Sequence, residues 1–86
     1  MNRKMTDSPA ISLCDAPIGQ PVELTGIQGG SRFHRRLVEL GLTPGVKLKV
    51  LQDSGGPLII AVRDSRIALG RGMAQKLIVS IIKEAA

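Results

Sequence analysis

Apolar and polar residues alternate most cleanly at Val46-Lys47-Leu48-Lys49-Val50. That period of two belongs to a strand with one face in a core and the other in water. Val22-Glu23-Leu24-Thr25 repeats it after Pro21, and Gln28-Gly29-Gly30 breaks it. Leu58-Ile59-Ile60-Ala61-Val62 and Ile67-Ala68-Leu69 are apolar runs joined by a tight Arg63-Asp64-Ser65-Arg66 link. Leu77-Ile78-Val79-Ser80-Ile81-Ile82 supplies a last strand, and Met73-Ala74-Gln75-Lys76 before it suits a single helical turn. Upstream, residues 11–18 read as a turn-like segment that lays Leu13 and Ile18 onto the core.

The period changes to that of a helix in residues 31–40. Phe33, Leu37 and Leu40 fall at i, i+4 and i+7 and form one apolar stripe, with Arg32, Arg35, Arg36 and Glu39 around it. Ser31 is the expected N-cap, Gly41 the left-handed residue after the last turn, and Pro44 prevents resumption. Thr43-Pro44-Gly45 is a turn signature. One strand, a helix and four further strands with short connections predict a mainly β fold. The expected form is a small SH3-like five-stranded barrel with one α-helix inserted after the first strand and plugging its side. Residues 1–10 read as a flexible tail and residues 11–86 as a single domain.

Composition narrows the function. With 86 residues the core is thin and leaves little material for the walls of a catalytic cleft. Phe33 is the one aromatic residue, whereas readers of single-stranded nucleic acid stack bases on several. The net charge is +5, from 12 Lys and Arg against 7 Asp and Glu, which favours a polyanionic or acidic partner without choosing one. A single cysteine, Cys14, excludes an internal disulfide and fits a reducing compartment. No apolar stretch approaches the roughly 20 residues that span a bilayer, and residues 1–7 lead into no apolar signal core. The expected location is the cytoplasm, with no direct membrane insertion.

Candidate chemistry is sparse. There is one histidine to serve as a base and no paired-carboxylate or nucleophile motif, so no catalytic residue is expected. His34 has Leu37 and Val38 at i+3 and i+4, and Cys14 lacks a second cysteine. Zinc or iron needs three or four such ligands, so no cofactor is expected in the monomer. A divalent metal would need an intermolecular site, with His34 as a shared ligand. Asp53 and Asp64 sit in turns, where Asp serves local hydrogen bonding. Gly29-Gly30-Ser31 opens a helix but lacks the lysine and spacing of a phosphate loop. Arg35 and Glu39 are spaced for an i,i+4 ion pair. Arg32, Arg35 and Arg36 cluster within a turn and a half and are the leading partner-facing residues, with Lys47 and Lys49 beside them.

Leu24-Thr25-Gly26-Ile27-Gln28-Gly29-Gly30, followed by Arg36-Leu37-Val38-Glu39-Leu40-Gly41-Leu42-Thr43-Pro44-Gly45, resembles the ferrous iron transport protein A family. Pro57-Leu58, Arg66-Ile67-Ala68-Leu69 and Ile78-Val79 fit the same pattern, so the resemblance covers residues 11–82. It implies an SH3-like fold and a cytosolic accessory role in bacterial ferrous iron uptake. The implied partner is the ferrous iron permease, a membrane protein with a cytosolic G-protein domain. No catalytic activity and no nucleic-acid partner are implied, and a homodimer stays open. The alternative is a small basic nucleic-acid-binding or transcription-regulatory module of the same fold. Iron-dependent repressors carry a similar C-terminal domain, but no helix-turn-helix portion precedes it here, which argues against a repressor.

Overall fold

The computed structural model describes residues 9–83, so most of the expected tail lies outside the described residues, as do the last three positions. Six antiparallel strands form one sheet. They are β1 (Ile11–Ser12), β2 (Val22–Ile27), β3 (Lys47–Asp53), β4 (Leu58–Val62), β5 (Ser65–Leu69) and β6 (Leu77–Ile81). Helix α1 (Ser31–Glu39) joins β2 to β3, and one turn of helix, α2 (Arg71–Ala74), joins β5 to β6. The spatial order is β1-β6-β2-β3-β4-β5. The sixth strand is the addition to the expected five. β1 pairs only Ile11 with Val79 and Ser12 with Ile78, a span too short to show any period. α1 therefore follows the second strand, which is the first long one.

Alternation becomes burial along the long strands. Leu48 and Val50 are buried while Lys47 and Lys49 are exposed. In the apolar run of β4, Leu58, Ile60 and Val62 are buried and Ile59 and Ala61 only half so. Each fully buried aliphatic side chain of this kind contributes roughly 1.5–3 kcal/mol. Register shifts between Leu24 and Gly26 on β2, and between Val50 and Gln52 on β3, mark irregularities that bend the sheet into a barrel.

The sheet order leaves β1 and β5 as ends, and α2 links them. β5 runs through Gly70 into α2, and α2 is bonded back to the segment after β1. The Ser12 hydroxyl accepts from the Cys14 N–H at 3.2 Å and donates to the Gln75 carbonyl at 3.3 Å. The Cys14 thiol donates to the Arg71 carbonyl at 3.7 Å. Leu13, on the single 3-10 turn Leu13–Asp15, is fully buried, as is Ala74 of α2. Ile18 departs from its expected place in the core and is 59% exposed. The chain turns through Gly19 (φ +82°), whose N–H reaches the Val50 carbonyl at 2.8 Å, and this holds the loop with Ile18 outside.

Candidate functional site

Local geometry explains how α1 presents its side chains. The N-cap is Gly30, one residue before the expected Ser31: its carbonyl accepts from the His34 N–H at 3.1 Å. Ser31 already has helical backbone, so its hydroxyl is not placed to cap. Gly29, at φ +127°, makes the approach; a Cβ there would meet the Phe33 ring at 2.8 Å. Phe33 is thus half-buried against glycine backbone, with the Lys76 ammonium 5.1 Å from its ring centroid.

The helix exit corrects the expected stripe. Gly41 (φ +86°) donates to the Val38 carbonyl at 2.9 Å and Leu42 to the Leu37 carbonyl at 2.8 Å. That pair of bonds is a Schellman motif, which carries the second residue past the helix end back toward its last turn. Leu42 is fully buried in consequence, and Leu40 is left 40% exposed. Val38 is exposed too, at 55%. Leu37 is the one fully buried residue of α1.

The outer face of α1 is basic. Arg32, Arg35 and Arg36 are all exposed and, with Phe33 and Glu39, line a shallow depression of about 350 Å³. The expected Arg35–Glu39 ion pair does not form; the ion pair present among the described residues joins Arg71 to Asp53. Arg32 lies in the first turn, which holds no acidic residue. A cation there opposes the helix dipole, so intrinsic helix stability does not account for it.

Lys47 and Lys49 are not part of this depression. They line a separate one of about 190 Å³ on the sheet, with Pro21, Leu48, Ala61 and Arg63. Arg63 was not singled out in the sequence, where it reads as one residue of a tight link. The signal lay in strand pairing: Lys49 faces Ala61 and Leu48 faces Val62, and Arg63 is the next residue, in the β4–β5 turn.

The remaining candidates are scattered. His34 is exposed on α1, and Cys14 is half-buried at the other end of the chain. Among the described residues no group of three or more His, Cys, Asp or Glu could hold a metal ion. Asp64 is exposed in the β4–β5 turn. Asp53 ends β3, and its carboxylate accepts from the Arg71 guanidinium and from the Gly55 N–H at 3.3 Å. Those two bonds, the arginine's first, hold its carboxyl below the ordinary Asp value. No helix among the described residues is long and apolar enough to cross a membrane.

The model of the FeoA domain family matches residues 11–81. The chain belongs to that family. A protein of Methanocaldococcus jannaschii assigned as Fe(2+) transport protein A is 42% identical over 67 residues, covering 78% of this chain and 82% of its own length. A crystal structure of an iron uptake regulatory protein, FeoA, superposes with a TM-score of 0.81 at 33% identity, over 86% of this chain and all of that one. The zinc complex of Stenotrophomonas maltophilia FeoA, a prokaryotic SH3 domain protein, gives a TM-score of 0.70 at 25% identity, over 80% and 88% of the two chains. The mainly β, SH3-like fold and the place in ferrous iron transport are those of the FeoA family.

Proposed function

We propose that this FeoA chain is a non-catalytic, cytoplasmic accessory of ferrous iron uptake that docks on the membrane permease and its G-protein domain. The carrying observation is the basic face of α1. Arg32, Arg35 and Arg36 stand exposed beside one another with no ion-pair partner among the described residues, and Arg32 occupies a position that the helix dipole disfavours. Exposed guanidinium groups recognise carboxylates in paired hydrogen bonds, which suits an acidic surface on a protein partner. Family membership supplies the system in which that partner is sought.

The fold and the chemistry support the reading as a docking module. Among the described residues, those that line the depression with the arginines are Phe33 and Glu39, with no nucleophile, and the depression is shallow. Metal follows the same reasoning. His34 is the imidazole this chain offers on α1, and a divalent ion would be completed by ligands of a second copy.

The test is capture of the purified permease, and separately of its isolated G-protein domain, on immobilised protein at physiological salt with random duplex DNA as competitor. Capture that survives the DNA supports the docking role. Capture of DNA in place of the permease, falling steeply with salt, would contradict it and favour the nucleic-acid reading.

A further inference from the structure

The second depression is lined by cations of its own. Lys47 and Lys49 are two residues apart on β3, so their side chains leave the same face about 6.6–6.8 Å apart along the strand. Arg63 is the residue after β4, in the β4–β5 turn, and lines the same hollow of about 190 Å³ with the small Ala61, which faces Lys49. All three cations are exposed, and none forms an ion pair among the described residues.

Arg63 adds a second observation. Its φ is +55°, and it is the one non-glycine residue in that region among the described residues. Glycine adopts such a backbone without steric cost, and an arginine does not. The two-residue link between the paired Val62 and Ser65 calls for that backbone, and the position carries a long cation at the edge of a hollow already lined by two lysines.

We infer that this hollow is a docking site for an extended acidic segment of a partner protein, with carboxylates on alternate residues. An extended chain repeats on one face at the same spacing as Lys47 and Lys49, so two alternate carboxylates meet the two lysines in register. The Arg63 fork takes a third carboxylate bidentately. A nucleic acid fits less well. The hollow has no aromatic side chain on which a base could stack, and it is lined by aliphatic stems and three cations only. The site shares no residue with the α1 depression and stands whether or not the permease reading does.

The experiment is a titration of isotope-labelled protein, followed by amide chemical shifts at low salt, with the blocked peptide Glu-Thr-Glu-Thr-Glu and with its Gln-Thr-Gln-Thr-Gln counterpart. The expected result is saturable shifts at Lys47–Lys49 and Ala61–Arg63 with the acidic peptide alone, weakening as salt screens the charges. Lys47→Gln with Lys49→Gln should lower affinity about tenfold, and Arg35→Glu with Arg36→Glu should leave it unchanged. Arg63→Gly should also lose affinity while keeping the wild-type melting temperature, because relieved strain and added chain entropy oppose each other. No shifts, shifts confined to α1, or tighter binding of a random DNA duplex to the same amides would each overturn the inference.

Discussion

The sheet and the helix hold their places by different means. Along β4, and along β3 as far as Val50, every second side chain is buried, and each strand is paired on both sides, so its neighbours enforce its register. α1 has one fully buried residue, Leu37, and a half-buried aromatic, Phe33. What fixes it lies at its two ends: Gly29 beneath the Phe33 ring at the start, and the Schellman turn that buries Leu42 at the exit. An element anchored at its ends keeps most of its surface free. That is why α1, and not a long strand, can expose three arginines together with Val38 and Leu40.

The contrast breaks first if the anchors are no stronger than the face. Ile60→Ala, in the middle of β4, and Leu37→Ala, at the foot of α1, should each cost about 2–5 kcal/mol in chemical denaturation, since both side chains are fully buried. Gly29→Ala comes next. It combines a positive φ with a Cβ in contact with Phe33, and a loss of about 1–3 kcal/mol is expected. Leu40→Ala should change stability by under about 1 kcal/mol, because the Schellman turn has already placed Leu42 in the core in its stead. A cost for Leu40 equal to that for Leu37 would restore the continuous stripe and remove the distinction.

A smaller effect belongs to the contact between the β3–β4 hairpin and α2. Asp53 has its carboxyl held low by Arg71, so the folded state binds that proton less readily than the unfolded chain does. The stability this contributes is present above the ordinary Asp value and is lost as pH falls through the lower folded value. Asp53→Asn should therefore lower the melting temperature modestly at neutral pH and flatten its fall below about pH 4. Equal acid dependence in both proteins would show that the Arg71 contact has no part in it.

Legibility followed the same division. Strand burial was open to reading because alternation reports directly which face meets the core, as Val46 to Val50 illustrates. β1 escaped because two residues have no period, and its pairing with β6 depends on a partner 68 positions away at Ile11 and Val79. The helix stripe was half right: Phe33 and Leu37 face inward, whereas Leu40 yields to Leu42 through backbone bonds at the exit that side-chain spacing does not encode. Lys47 and Lys49 line a hollow separate from that of the helix arginines, for a related reason. Nearness in sequence did not reveal that strand pairing would seat them with Arg63. The family resemblance, by contrast, was carried by glycines and Pro-Gly in the helix exit. Gly41 and Gly45 do take left-handed backbone, at φ +86° and +97°.

The account turns on the arginine face of α1. The most direct test is the affinity of the purified protein for the permease's isolated G-protein domain at physiological salt, wild type against the double variant Arg35→Glu and Arg36→Glu, each first shown to be folded by circular dichroism. An affinity reduced about tenfold or more, in a variant that melts as the wild type does, is the predicted result. Unchanged affinity in a folded variant would contradict the assignment of docking to this face.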